Sequence, residues 1–167
     1  MSAPADDDTL DPEWLNDHSQ YQLNFVHGLR NAKGLHLQYH LSGNRVVTTW
    51  VPGEDRAGFP GVVHGGLIAA VLDDVMGRCS VLHRRWVVTG RMETRFRNVA
   101  PIGEALLVEG WTTRFSRRVM HAASCMSLQD GTVVAEATGT YLPVPDSLLT
   151  RMVGAWPGFA EYTGDGP

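Results

Sequence analysis

The spacing of hydrophobic positions changes along this chain, and the change separates predicted strands from one predicted helix. Alternate residues are apolar over residues 35–41, which predicts a half-buried strand. The turn residues at 42–44 lead into a second predicted strand over residues 45–51, so the two form a predicted hairpin. Four more strands are predicted towards the C-terminus, at residues 86–97, 104–115, 119–128 and 132–142.

The longest apolar run without a helix breaker lies between these two groups, at residues 65–83, and its spacing predicts a helix. The side of the helical wheel opposite the apolar stripe carries small residues and one acid, Asp73. Its neighbour Asp74 falls off that side, one turn from Arg78, and is expected to form a surface ion pair with it. The buried stripe consists of Leu67, Ile68, Val71, Leu72, Val75, Met76 and Cys79.

The order of two strands, one helix and four strands predicts an α+β domain with a sheet of about six strands. The short separators at 100–103, 116–118 and 129–131 predict antiparallel neighbours. One helix covers only one face of such a sheet, so an obligate dimer is expected to cover the other face. The predicted boundaries are a disordered tail at 1–9, an N-terminal helix and loop at 10–34, the main domain at 35–143 and an extension at 144–167.

Composition and charge exclude several classes of function. The chain has 167 residues, which suits one domain, and its net charge of -4 argues against a nucleic-acid binder. The acidic N-terminus does not resemble a signal peptide, and no apolar run reaches the ~20 residues of a membrane span. A cytosolic location without membrane contact is therefore expected. The two cysteines, Cys79 and Cys125, have no spacing typical of a metal site or disulfide framework.

Positive charge is concentrated in one segment. Nine of the 14 basic residues lie between Arg78 and Arg118, where the only acids are Glu93, Glu104 and Glu109. This segment can attract an anionic small molecule although the protein is acidic overall.

Candidate chemistry lies at the glycine-rich turn before the helix. The first amides of a helix have no internal partner and carry the positive end of the helix dipole. At Gly65 and Gly66 no side chain shields them, so they could hold a developing oxyanion. His64 beside them is either catalytic or a structural histidine that bonds the loop backbone. Asp73 is either a reactive carboxylate or a solvated one.

This turn and helix resemble the hotdog-fold thioesterases, particularly the PaaI-like and THEM4-like acyl-CoA thioesterase branch. The resemblance rests first on His64-Gly65-Gly66, followed nine residues after the histidine by Asp73. It covers roughly residues 34–142. It also includes the whole string from 58 to 73, the segments Thr89-Gly90-Arg91-Met92 and Phe96-Arg97, and the turn at 100–103.

The resemblance implies a hotdog fold, in which an antiparallel sheet of about six strands wraps around one long central helix. It implies a homodimer or a dimer of dimers, with active sites at the interface and an acyl-CoA substrate. It implies no cofactor and no metal.

The resemblance also implies roles for individual residues. Asp73 would be the general base or nucleophile, the Gly65 N–H would stabilise the oxyanion, and Thr89 would help to orient the attacking water. His64 is a further catalytic candidate. The residues expected to bind substrate are Gly66, Phe59, Arg91, Arg117 and Arg118.

Two departures from the family pattern keep a second function open. Some relatives carry an asparagine six residues before the histidine, where this chain has Gly58. Others carry Cys-x-x-Cys-Gly near the N-terminus, where this chain has residues 24–28 without cysteine. The alternative function is a non-catalytic module on the same fold that binds an acyl-CoA or aromatic ligand.

Overall fold

A six-stranded antiparallel sheet wraps around one long helix in the computed structural model, which describes residues 22–155 and 157–161. This is the arrangement that the resemblance implies. The predicted disordered tail at 1–9 and the first part of the predicted N-terminal helix and loop, residues 10–21, lie outside the described residues.

The sheet has the strand order β1-β2-β6-β7-β8-β5, and β3 and β4 form a separate small hairpin. Two short 3-10 helices are present, one at Glu54–Arg56 and one at Cys79–His83, directly after α1. The strands are β1 (His40–Ser42), β2 (Arg45–Trp50), β3 (Ala57–Phe59), β4 (Val62–Val63), β5 (Val87–Phe96), β6 (Leu106–Ser116), β7 (Val119–Leu128) and β8 (Val133–Pro143); the helices are α1 (Gly65–Arg78), α2 (Asp146–Ala155) and α3 (Gly158–Glu161).

The central helix and the last four strands of the sheet are confirmed, with ends that shift by a few residues. The first predicted strand is largely wrong, because only His40–Ser42 of that region pairs with β2. His36 adopts a left-handed φ of 55°, which an extended strand does not allow. Leu37 and Tyr39 are nevertheless buried, so the alternating pattern did identify the residues that face the core.

The expectation that β5 and β6 are neighbours is also wrong. Strand β5 pairs with β8 at the edge of the sheet, whereas β6 lies between β2 and β7. The connecting residues do not form a tight turn, because they run past the small hairpin and bond to it. Val63 N–H donates to the Ala100 carbonyl, and Ile102 N–H donates to the Gly61 carbonyl. Among the described residues, the second edge of β5 has no partner strand.

Helix α1 is held against the sheet by close packing. Its residues Val71, Leu72, Val75 and Met76 are fully buried in the core. Opposite them, Gly110 of β6 has no room for a side chain, because a Cβ there would lie 2.9 Å from the Val75 carbonyl oxygen. The helix backbone thus rests directly on the sheet, and this contact fixes its height and its position along β6.

The expected surface pair of Asp74 and Arg78 is instead part of a buried cluster. Both side chains are almost fully enclosed, at 14% and 9% exposed. Asp74 accepts hydrogen bonds from His27 Nδ1 at 3.0 Å and from the Tyr39 hydroxyl at 2.7 Å, and Arg78 Nε lies 3.8 Å from it. The guanidinium of Arg78 also meets His27 Nε2. Periodicity along α1 could not reveal this, because the covering residues come from the segment before β1.

One arrangement of protons satisfies all the hydrogen bonds of this cluster. A carboxylate only accepts hydrogen bonds, so His27 carries a proton on Nδ1, and its Nε2 then accepts from Arg78. Burial alone would raise the pKa of Asp74, but the hydrogen bond from His27 and the charge of Arg78 outweigh it and hold that pKa below its usual value. The cluster joins the segment 22–39 to α1.

Residues of the predicted C-terminal extension form one helix, α2, and a further turn of helix, α3. In the described part of the chain, no helix combines the length and the apolar character needed to cross a membrane.

The variant Asp74→Asn is expected to lower the free energy of unfolding at pH 7 by about 3 kcal/mol, because it removes the carboxylate charge that faces the buried Arg78. Urea unfolding monitored by circular dichroism measures this. The matched control, Glu109→Gln, breaks the more exposed Arg45–Glu109 bridge and should cost less than about 1 kcal/mol. Equal losses in both variants would contradict the role assigned to the buried cluster.

The same variant carries a pH signature. Because the folded pKa of Asp74 lies below its ordinary value of 3.8, its stabilising contribution is complete above that value. The contribution is lost as the pH falls from there through the folded pKa. Wild-type stability should therefore fall more steeply than that of Asp74→Asn below about pH 4.

Candidate active site

Asp73 lies half-buried on α1, and its carboxylate is oriented by two hydroxyl donors. The Thr89 hydroxyl of β5 and the Tyr141 hydroxyl of β8 each donate to Asp73 Oδ1 at 2.9 Å. Thr89 and Tyr141 are directly opposite each other in the β5–β8 ladder, so both reach the same oxygen. Among the described residues, Asp73 Oδ2 has no hydrogen-bond partner. The carboxylate is thus fixed through one oxygen and available through the other.

Tyr141 is the site residue that sequence reasoning missed. It is only 1% exposed, and its ring lies over Gly139, where a Cβ would come within 2.5 Å of it. Burial raises the pKa of Tyr141 well above its usual value, and the neighbouring Asp73 carboxylate raises it further. The hydroxyl therefore stays protonated and remains a donor. Strand periodicity places this residue on the core side, but no sequence signal names the partner of its hydroxyl.

His64 caps α1, which favours its structural role. Its Nδ1 accepts a hydrogen bond from the Gly66 N–H at 2.9 Å, in the manner of an N-cap side chain. The expectation of two bare amides is therefore corrected, because the Gly66 amide is occupied. The Gly65 N–H has no acceptor among the described residues, and it remains the one candidate donor to an oxyanion at this end.

The candidate donor and the candidate base are far apart within one chain. Gly65 and Asp73 are eight residues apart on the same helix, which separates them by about 12 Å along its axis. Strand β5 runs alongside α1 and approaches both residues. Thr89 contacts Asp73, whereas the Phe96 ring lies 3.6 Å from where a Gly65 side chain would begin. One chain thus presents the two groups at separate places.

The absent asparagine has a steric explanation. Gly58 of β3 approaches the backbone of His64 so closely that a Cβ at Gly58 would lie 2.9 Å from the His64 Cα. This hairpin has no space for an asparagine at that position. The adjacent Phe59 is 77% exposed and does not line a described cavity.

The predicted substrate-binding arginines are not at Asp73. The β5–β8 register shifts between Thr89 and Arg91, so Thr89 faces α1 while Arg91 faces away from it. Arg91 lines a groove of about 450 Å³ on the outer side of the sheet, together with Arg114 and His121. Arg117 and Arg118 are exposed in the turn between β6 and β7.

A cavity of about 720 Å³ opens beside Asp73. Its lining comes from the second half of α1, the start of β5, the segment around residue 24, and both C-terminal helices. Apolar side chains form one side of it, including Val81, Trp86, Leu148, Met152 and Phe159. The volume is within the range of small-molecule sites, about 300–1,000 Å³.

Comparisons with known proteins agree with this architecture. The family model of the thioesterase superfamily matches residues 60–135. Acyl-coenzyme A thioesterase THEM4 of Bos taurus is 26% identical over 140 residues, which cover 80% of this chain and 56% of that protein. The chain spans about half the length of the curated relatives it matches.

Solved structures share the fold. A crystal structure of a thioesterase superfamily protein aligns with a TM-score of 0.68 and 28% identity, over 71% of this chain and 62% of that one. A Streptococcus mutans protein bound to acetyl CoA aligns with a TM-score of 0.63 and 21% identity, over 72% of this chain and 97% of that one. The resemblance to hotdog-fold thioesterases, and the hotdog fold itself, are confirmed.

Proposed function

We propose that this chain, which carries a hotdog domain of the thioesterase superfamily, hydrolyses an acyl-CoA thioester to the free acid and coenzyme A. One observation carries the proposal. The Asp73 carboxylate is held through Oδ1 by Thr89 and Tyr141, and Oδ2 is left for chemistry next to a cavity of suitable size. The names and bound ligand of the relatives support the same substrate class.

In the proposed reaction, Asp73 Oδ2 either removes a proton from water as the water attacks the thioester carbonyl, or attacks that carbon itself. Both routes place negative charge on the carbonyl oxygen, which the Gly65 N–H stabilises. Collapse of the intermediate expels the thiolate of coenzyme A. On the second route the acyl group is then held on Asp73 as a mixed anhydride, which water hydrolyses to the free acid and the Asp73 carboxylate. A thiol has a pKa of about 8.5, so this leaving group needs little protonation, and a site without a separate general acid is sufficient.

In the proposed site, Thr89 acts through Asp73. Its hydroxyl donates to Asp73 rather than standing free to orient water. Thr89 and Tyr141 are therefore positioning residues, which hold the carboxylate in one rotamer.

A complete site requires two chains in this proposal. The unpaired edge of β5 offers backbone groups to a second copy of the same strand. An antiparallel pairing centred on Glu93, with Gly90 left out of the ladder as a bulge, would set Thr89 of one chain beside Phe96 of the partner subunit. Because Asp73 lies at the first and Gly65 at the second, the base of one chain would face the oxyanion donor of the other. A homodimer, or a dimer of dimers, is the expected assembly.

Coenzyme A carries several phosphate charges, and the exposed Arg117 and Arg118 can meet them at a distance from the thioester. Arg91 can do so only from the outer side of the sheet. The net positive charge of this segment supports binding of an anionic substrate.

The second candidate function is a binding module that holds an acyl-CoA without turning it over. The observation that favours it is Gly58, because the hairpin has no room for the asparagine that some relatives use. A panel of acyl- and aryl-CoA thioesters separates the two functions. Binding with no release of thiol from any member would support the module.

Asp73→Asn should lower kcat by at least about 100-fold, because the amide cannot act as a base or nucleophile although it still accepts both hydroxyl bonds. Thiol release from the best substrate of the panel measures this. The thermal midpoint should change little, since the substitution keeps the shape of the side chain. Full activity in the folded variant would contradict the assignment of Asp73 as the base or nucleophile.

Tyr141→Phe should lower kcat by about tenfold, with a much smaller effect on KM, because it removes one of the two donors that orient the carboxylate. A purely structural role for the hydroxyl would reduce stability and leave kcat of the folded enzyme unchanged. Steady-state kinetics at a temperature well below the thermal midpoint distinguishes these outcomes.

Gly65→Pro removes the proposed oxyanion donor and little else. Proline is favourable at the first position of a helix, and the extended backbone of His64 suits a residue before proline. The expected loss is about 100- to 1,000-fold in kcat. The matched control, Gly65→Ala, keeps the amide, and its Cβ would make only ordinary contact with Phe96 at 3.6 Å, so it should retain most activity.

Mixed dimers test whether two chains form each site. Co-expression of differently tagged Asp73→Asn and Gly65→Pro chains should restore activity in the purified heterodimer. One of its two sites would then combine an intact Asp73 with an intact Gly65 amide. If the heterodimer is as inactive as the two single-variant homodimers, Asp73 and Gly65 act within one chain, and the shared site is contradicted.

A further inference from the structure

The cavity beside Asp73 is closed on one side by residues that lie beyond the matched superfamily region. That region ends at residue 135, whereas Leu148, Met152 and Phe159 of α2 and α3 all line the cavity. These helices thus reach back to the candidate site from the end of the sheet.

The apolar side of α2 is directed to this cavity rather than to the core. The helix has no fully buried residue, although Leu148 and Met152 are each half-buried at its inner side. An apolar helix side usually gains its stability by packing against a hydrophobic partner. Here the space that such a partner would fill is empty volume, and a ligand with an apolar group would bury these side chains.

The C-terminal segment is fixed in this position at both ends. At its beginning, Val144 N–H donates to the Trp86 carbonyl at 3.0 Å. At its end, Trp86 Nε1 donates to the Phe159 carbonyl at 3.1 Å, and the two rings meet edge to face with centroids 5.0 Å apart. Trp86, directly before β5, therefore holds both ends of the segment that carries α2 across the mouth of the cavity.

The remaining walls leave a path for an apolar group along α1. Gly77 follows Asp73 by one turn and adds no side chain, and Val81 follows by another turn. Part of the polar flank of the cavity is engaged internally, since His27, Asp74 and Arg78 bond to one another in the buried cluster; Arg151 of α2, which also lines the cavity, is exposed. The path from Asp73 to Val81 is about 12 Å long, at the rise of a helix.

We infer that α2 is the selectivity wall of the acyl pocket, in which Leu148 and Met152 set the size of the apolar acyl group that the enzyme accepts. The acyl group would extend from the thioester at Asp73 along Gly77 towards Val81 and Trp86. This inference rests on the proposed thioesterase function. It predicts preference for a long apolar acyl group over acetyl, since only the former fills the cavity.

The test is a comparison of kcat/KM for acetyl-, hexanoyl- and decanoyl-CoA. Met152→Trp should reduce the decanoyl-to-acetyl ratio at least tenfold, because the larger ring occupies the path. Leu148→Ala enlarges the pocket and should move the ratio towards the longer substrate. The matched controls, Leu149→Trp and Leu149→Ala, change a half-buried leucine of the same helix that does not line the cavity, and they should leave the ratio as in the wild type.

A binding measurement keeps the inference separate from the enzyme assignment. The decyl thioether of coenzyme A cannot be hydrolysed, and calorimetry with it should show at least tenfold weaker binding to Met152→Trp than to the wild type. Turnover with an unchanged decanoyl-to-acetyl ratio in all α2 variants would contradict the role of α2 in selectivity, and the proposed thioesterase activity would remain supported. If no protein shows turnover but Met152→Trp still binds the thioether tenfold more weakly, the thioesterase activity would be contradicted and the role of α2 as a wall of the acyl pocket would be supported.

Discussion

The contact between α1 and the sheet at Gly110 determines where the chemical groups of this protein lie. A carbonyl oxygen of the helix occupies the space of the missing side chain, so the helix lies closer to β6 than any side chain at Gly110 would permit. A second glycine, Gly139, lets the Tyr141 ring lie over β8 and bring its hydroxyl to Asp73. Two positions without side chains on the sheet thus hold the helix and its carboxylate in register.

Adjacent acids on this helix have opposite fates for a simple geometric reason. Successive residues on a helix are about 100° apart, so Asp73 faces β5 and β8 while Asp74 faces the segment before β1. Asp74 is enclosed, paired with Arg78 and His27, and serves stability. Asp73 is held through one oxygen and open at the other. Of the two carboxylates, Asp73 is therefore the candidate for chemistry, because its partners leave one oxygen unsatisfied.

The sequence predicted the parts of this structure that depend on local patterns. Helix α1 and strands β5 to β8 could be read from periodicity, and the turn before the helix indicated Gly65 and Asp73 as candidate site residues. Contacts between distant segments could not be read. Helical spacing indicated a surface position for Asp74, because nothing local announces that His27 and Tyr39 will cover it. Tyr141 was missed for the same reason, and the capping of Gly66 by His64 became clear only from its geometry.

The irregularity at Gly90 has a consequence for how this protein can change over time. The shift of register between Thr89 and Arg91 is what directs the first to Asp73 and the second to the outer groove. A residue gained or lost elsewhere along β5 would turn every side chain on one side of the change to the opposite face, whereas loss of Gly90 itself would only remove the irregularity. Strand β5 should therefore tolerate many substitutions but few insertions or deletions, and the length of this strand would be retained among descendants more strictly than its composition.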